Sequence, residues 1–106
     1  MSVNPMNTRY ERRVGIVTRK IMDEVILVPV TPRIDNEAAL FTLDTVGAFL
    51  WDRLASPLTG RQLSDALQSV YDVSSSQADA DVRTFIAQLV EAGVLQEKAP
   101  EAAHAG

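Results

Sequence analysis

The side chains best suited to catalysis or metal binding are few in this sequence and lie far apart. The 106 residues include one histidine, His104, and no cysteine. A zinc site needs several ligands together, and a catalytic nucleophile needs a base beside it. Without cysteine, disulfides and thiolate chemistry are also excluded. The sequence therefore predicts no catalytic residue, no metal site and no cofactor, and we expect that the isolated chain is not an enzyme.

Two polar clusters could still be mistaken for catalytic groups. Residues 74–76 are all serine, but serines directly before a helix usually cap its free N–H groups. Asp79 and Asp81 are two residues apart on a predicted helix, so their carboxylates do not face each other. Near a helix N-terminus the macrodipole favours such anions. We interpret them as a solvated pair, and the five dispersed glycines form no phosphate-binding loop.

Length and composition suit a single domain. With 106 residues, 46% of them hydrophobic, we expect a domain over residues 13–95 between a flexible N-terminal arm (1–12) and a disordered tail (96–106). No apolar run approaches the roughly 18 residues that span a bilayer, and no secretory signal is visible. The expectation is a cytoplasmic protein without membrane contact.

The net charge of −4 is unevenly distributed. Residues 1–20 hold five basic groups and one acidic group, whereas the rest of the chain holds five basic and thirteen acidic groups. A basic arm of this kind can contact nucleic acid or an acidic partner, or only carry solubilising charge.

Three strands are expected before the helices. Residues 14–20 begin with β-branched side chains, and residues 25–28 form an unbroken apolar run typical of a central strand covered on both faces. Pro29 and Pro32 then end the ladder because neither has an N–H to donate. Residues 38–43 form the third strand, and the short connections favour antiparallel pairing.

Three helices follow. Asp44 is predicted to cap the first, over residues 45–54, with Trp51 beside its apolar stripe rather than within it. Thr59 and Gln62 have the spacing of a capping box and begin the second helix.

The third helix is predicted over residues 76–92. Ser74 offers its cap, and Gly93 supplies the left-handed residue that ends it. Its broad apolar face is formed by Ala78, Val82, Phe85, Ile86, Leu89 and Val90.

Three helices ending in a longer one are typical of a winged helix that binds DNA, but the charge is wrong. The last helix carries three carboxylates and only Arg83 as a base, whereas DNA-binding helices need cations for the phosphates. The residues after it are also too few for a wing hairpin. We therefore predict an α+β fold, a small N-terminal three-stranded antiparallel sheet followed by a winged-helix-like bundle of three helices, and we do not expect nucleic acid as its partner.

The predicted third strand has an open edge if the central strand pairs with both of its neighbours. Such an edge can accept an extended peptide or a second copy of the chain. The third helix would flank it. We interpret Phe85 and Leu89 as core residues and place Arg83 and Ile86 at the rim of the groove.

Several motifs together resemble one family. They are VPV at 28–30, LFTLD at 40–44 leading into GAFLWD at 47–52, and DVxxFIxxLxxxGVL at 81–95. In order and spacing they are similar to the PqqD-like proteins, coenzyme PQQ synthesis protein D and its relatives, over about residues 14–95. Leu43-Asp44 stands where PQQ-pathway members tend to have Leu-Asn, which favours the wider leader-binding group over the PQQ pathway.

The resemblance implies a RiPP recognition element, a domain of natural product biosynthesis that binds the leader of a ribosomally synthesised precursor peptide. In this family the leader adds as a strand beside the third strand, packs on the third helix, and is presented, as by a peptide chaperone, to a modifying enzyme, often a radical-SAM protein. The peptide-binding residues carried onto this chain are Ala39, Leu40, Phe41, Thr42, Val82, Arg83, Phe85, Ile86 and Leu89.

Two other functions stay open at the level of sequence. One is a winged-helix nucleic-acid-binding protein that uses the basic arm. The other is a structural domain that forms a homodimer through the edge of the third strand.

Overall fold

The computed structural model of the chain describes residues 4–22, 24–29 and 41–98. Its elements in chain order are β1 (Arg9–Arg12), β2 (Ile16–Ile21), β3 (Glu24–Pro29), β4 (Phe41–Leu43), α1 (Thr45–Arg53), β5 (Leu58–Thr59), α2 (Gly60–Val70), α3 (Ser75–Ala92) and β6 (Leu95–Glu97).

The predicted α+β architecture with a three-stranded antiparallel sheet is confirmed. This sheet has the order β2-β3-β4, with Val25 opposite Leu43 and Leu27 opposite Phe41. Val25 and Leu27 face the core. The other face of β3, which carries Ile26, is only half-buried, so the expected coverage of both faces is not complete. Residues 38–40 of the predicted third strand lie outside the described residues.

A second sheet, in the order β5-β1-β6, differs from the expected flexible arm and disordered tail. Arg9–Arg12 pairs with both neighbours, and β6 extends to Glu97. Met6 and Tyr10 are only 2% and 4% exposed, and burial of these two side chains fixes a segment whose polar neighbours indicated disorder. The backbone N–H of Gly60, at the start of α2, also donates to the carbonyl of Pro5 at 3.0 Å.

The helix ends lie where the capping residues predict them. The backbone N–H of Gly47 donates to the carboxylate of Asp44, and Thr59 and Gln62 form a complete capping box. Ser74 caps α3, and Gly93 ends it in the left-handed conformation at φ 83°. The three N-caps, Asp44, Thr59 and Ser74, satisfy N–H groups that have no partner within the helix.

Trp51 is more buried than its place beside the stripe indicated. Its side chain is 1% exposed, and Arg12 of β1 and Thr18 of β2 both lie against the indole. The indole N–H donates to the hydroxyl of Thr18 at 3.0 Å, and the guanidinium of Arg12 stacks 4.5 Å from the ring centre. The guanidinium of Arg12 also donates a hydrogen bond to the backbone carbonyl of Trp51. Arg12 therefore contacts both the ring and the backbone of the same residue.

Asp79 is not the solvated residue that its helical position indicated. The hydroxyl of Ser64, which is 0% exposed, donates to its carboxylate at 2.5 Å, and Arg61 lies 3.4 Å from the same oxygen. The pair joins α2 to α3. Asp81 instead accepts from the side-chain amide of Gln77, one turn earlier on α3.

The core lies between the three helices and the inner faces of the two sheets. Its most enclosed side chains include Leu27, Leu50, Leu63, Leu67, Leu89 and Leu95. Among the described helices, none has the length and hydropathy to cross a membrane.

Candidate functional site

An open groove of about 850 Å³ lies between β4 and α3. We call it the β4–α3 groove. Its lining comes from four parts of the chain: the strand β4, the cap of α1, one side of α1, and one side of α3. The lining residues are Phe41, Thr42, Leu43, Asp44, Val46, Gly47, Leu50, Asp81, Thr84, Phe85, Gln88, Leu89, Glu91 and Ala92.

The groove runs beside the edge of β4 that lies opposite β3. Among the described strands, β4 pairs only with β3, so its other edge offers unpaired backbone groups. Phe41, Thr42 and Leu43 all line the groove although successive side chains point to opposite faces of a strand. A cavity that touches all three therefore lies along the edge of β4 rather than over one face of the sheet.

The α3 wall is a single helical stripe. Asp81, Thr84 and Gln88 follow one another at spacings of three and four residues, which places them on one face. Phe85 and Leu89 are buried beneath this stripe. The result is an apolar floor with a polar rim, which suits an extended segment with alternating side chains.

Four of the nine peptide-binding residues indicated by the resemblance come together in this groove. Phe41 and Thr42 contribute from β4, and Phe85 and Leu89 contribute from α3. Val82 is fully buried in the core and lines no part of the groove. Ala39 and Leu40 lie outside the described residues.

Arg83 and Ile86, which the sequence pattern placed at the rim, do not line this groove. Both line a smaller cleft of about 400 Å³ on the other side of α3, beside Tyr10. Ile86 is only 2% exposed. The β5-β1-β6 sheet lies on the side of α3 that carries Arg83 and Ile86, and this places both residues away from the groove.

Sequence reasoning missed most of the polar rim. Thr84 and Gln88 are exposed, and each directly precedes a buried apolar residue of α3. This repeated polar–apolar pair is the signal that marks the edge of the buried stripe. Gly47 is also part of the lining; a Cβ atom there would lie 3.2 Å from Asp44 Oδ1 and 3.3 Å from Leu43 Cδ2.

The groove carries negative charge. Its acidic lining residues are Asp44, Asp81 and Glu91, and no Lys or Arg lines the described part. No group of three potential metal ligands occurs within the described ranges. The geometry thus offers backbone pairing, apolar contact and negative charge.

Two groups away from the groove have shifted pKa values. Burial raises the pKa of Tyr10, and the nearby carboxylate of Glu97 raises it further. Burial lowers the pKa of Arg12, and the opposing charge of Asp52 partly offsets this. Arg12 is held over Trp51, so one cation of the basic N-terminal segment is used within the fold.

The family model for coenzyme PQQ synthesis protein D (PqqD) matches residues 25–95, from β3 to β6.

The chain belongs to the PqqD family.

All elements that line the β4–α3 groove fall within the PqqD match, whereas β1 and β2 precede it. A solved structure of TbiB1 in complex with the TbiA(beta) leader peptide is similar to this chain with a TM-score of 0.70 and 26% identity. The similarity covers 85% of this chain and 99% of that chain. No curated protein matches the sequence.

Proposed function

We propose that this chain is a non-catalytic recognition protein that binds the leader segment of a ribosomally made precursor peptide in the β4–α3 groove. The leader adds as a further strand to the open edge of β4 and is presented to a modifying enzyme, which we expect to be a radical-SAM protein. The observation that carries the proposal is an unpaired strand edge beside an apolar floor. Ala39 and Leu40 would extend the docking edge formed by Phe41 and Thr42.

The comparisons support a peptide as the occupant. Membership of the PqqD family fits a role as an accessory protein rather than an enzyme. TbiB1 is a similar protein whose structure holds a leader peptide. The chain itself offers no group of three potential metal ligands in its described part.

Strand addition explains how one groove provides both affinity and selectivity. Main-chain hydrogen bonds to β4 depend little on the identity of the leader side chains. Alternate side chains of the added strand would point toward Phe85 and Leu89, because side chains alternate between faces. The α3 wall would therefore distinguish one leader from another.

A second copy of the chain is the competing occupant of the β4 edge. Sedimentation of the free protein over a range of concentrations would detect such a dimer. A nucleic acid would bind through cations such as the exposed Arg9 and Arg13 and would leave the acidic groove unused. Binding of labelled DNA at low salt tests this alternative.

The groove can be tested with two tryptophan variants on α3. Thr84 is exposed and lines the groove, whereas Ala80 is exposed on the same helix and lines neither cleft. The probe is a synthetic leader peptide, to be taken from a short precursor reading frame if the neighbouring genes contain one, and calorimetry measures its affinity. Thr84→Trp should weaken binding at least tenfold, whereas Ala80→Trp should leave it unchanged. Equal affinity in both variants would place the leader elsewhere.

Strand addition has a separate test in the leader. Methylation of single backbone nitrogens removes one N–H at a time without changing a side chain. In an antiparallel or parallel ladder only every second residue bonds to a given neighbour, so sensitivity should alternate with a period of two. Uniform or absent sensitivity would exclude pairing with β4.

A further inference from the structure

The α3 wall carries two of the charges that line the groove. Along α3, Asp81 is the first residue that lines the groove and Glu91 is the next to last, with Thr84 and Gln88 between them in the sequence; Glu91 also borders the smaller cleft. The two ion pairs among the described residues join Arg61 to Asp79 and Lys98 to Glu11, and so leave the groove carboxylates without a cation. Asp44 adds a third negative charge from the opposite wall, where its carboxylate accepts from the N–H of Gly47.

The spacing of these two carboxylates matches the repeat of an extended chain. Asp81 and Glu91 are ten residues apart, which corresponds to about 15 Å along a helix at about 1.5 Å per residue. Four residues of a β-strand cover about 13 Å, and residues i and i+4 point to the same side. Residue i+2 of the peptide strand also points to that side and would lie over Phe85 and Leu89 of α3.

We infer that the leader carries two basic side chains, Lys or Arg, four residues apart, with an apolar residue midway between them. The inference rests on the proposed function, because it requires an extended peptide in the β4–α3 groove. The basic residues meet Asp81 and Glu91, and the apolar residue packs on the floor. An acidic leader would face uncompensated repulsion from Asp81, Glu91 and Asp44.

A display library of twelve-residue peptides tests the inference directly. The library keeps a Thr-rich background, for its strand propensity, and randomises positions 4, 6 and 8. Selection on the full chain should enrich Lys or Arg at positions 4 and 8 and an apolar residue at position 6. A selected peptide should lose affinity when its second base moves to position 7, because an odd spacing turns that side chain to the other face.

The protein side of the test uses neutral variants of the same size. Asp81→Asn and Glu91→Gln should each weaken the selected peptide about two- to fivefold, the range for a partly exposed ion pair. Higher salt should shrink both effects. Asp65→Asn is the matched control, since Asp65 is exposed on α2 and lines neither cleft.

The outcomes separate the inference from the proposed function. Selected peptides that lack the basic pair, yet lose affinity in Thr84→Trp, would overturn the charge pattern and leave peptide binding in the groove intact. If no selected peptide responds to Thr84→Trp, both proposals fail.

Discussion

The hydroxyl of Ser64 on α2 donates to the carboxylate of Asp79 on α3 across 2.5 Å, and this buried contact joins the two helices that pack most closely. The side-chain amide of Gln68 donates to the same Ser64 oxygen at 3.2 Å. A polar pair in this position stabilises the helix interface only while both members are present.

Asp79→Ala should lower the free energy of unfolding by about 1–3 kcal/mol, because it leaves the buried Ser64 hydroxyl without its acceptor. The double variant Ser64→Ala with Asp79→Ala should recover much of the loss, since no orphaned polar group remains. Urea denaturation measures all three proteins. Asp65→Ala, at an exposed position of α2, is the control. Equal urea midpoints for Asp79→Ala and Asp65→Ala would show that the Ser64–Asp79 contact contributes nothing to stability.

Trp51→Ala should destabilise the fold more than Phe49→Ala. Trp51 is fully enclosed and hydrogen-bonded to Thr18. Phe49 is half-buried and meets the ring of Tyr71 edge-on, with 5.6 Å between the ring centres. We expect about 3–5 kcal/mol for the tryptophan, the range for a buried aromatic side chain, and less for the phenylalanine. Thermal and chemical unfolding of the two variants would give the order, and a reversed order would mean that the α1 faces are assigned wrongly.

Ile86→Glu should unfold the domain rather than selectively block the groove. Its side chain is enclosed beside the β5-β1-β6 sheet, and burying an ionised carboxylate there removes the charge from water at a large cost in free energy. Circular dichroism should show loss of the helical signal. By contrast, Arg83→Glu changes an exposed residue of the smaller cleft, and both folding and leader affinity should persist. A folded Ile86→Glu protein that has lost only peptide binding would contradict this assignment.

Stability should fall at alkaline pH because of Tyr10. Its pKa lies above the ordinary value of 10.0, since burial and Glu97 disfavour the phenolate. The folded state therefore favours the neutral phenol. The contribution of Tyr10 to the free energy of unfolding is complete below about pH 10, the pKa in the unfolded chain, and is lost as the pH rises through the folded-state pKa.

Tyr10→Phe should reduce this alkaline loss, with Tyr71→Phe as the control for removal of one tyrosine hydroxyl. Denaturation midpoints between about pH 8 and pH 11 would measure the effect, on either side of the tyrosine pKa. Identical pH profiles for wild type and Tyr10→Phe would rule out Tyr10 as the group responsible.

The parts of the fold that sequence predicts are those set by near neighbours. Asp44, Thr59, Ser74 and Gly93 each act on backbone groups within a few residues, so their identity is enough to place the helix ends. Residues 25–28 likewise identify a central strand through their own composition. These local features account for the β2-β3-β4 sheet and the three helices.

The parts that sequence does not predict depend on partners far along the chain. β5 is two residues long and carries no periodicity, yet it pairs with β1. The side of α3 that forms the groove is also decided from outside the helix. Its apolar face is broad enough to be covered from either side, and only the position of β1 and β6 shows that Ile86 is enclosed and Thr84 is free.

The place of β1 between β5 and β6 has a consequence for the order of folding. Glu11 and Gln96 meet across a sequence separation of 85 residues, and β1 gains its second neighbour only when β6 arrives. Closing so long a loop costs entropy before the strand pairing compensates for it, which slows this step relative to the local helices. During synthesis β1 is made before β6, and the edge of β1 that pairs with β6 stays unpaired until β6 has been made. A nascent chain that stops before Leu95 would therefore carry formed helices and an unpaired strand edge at the same time.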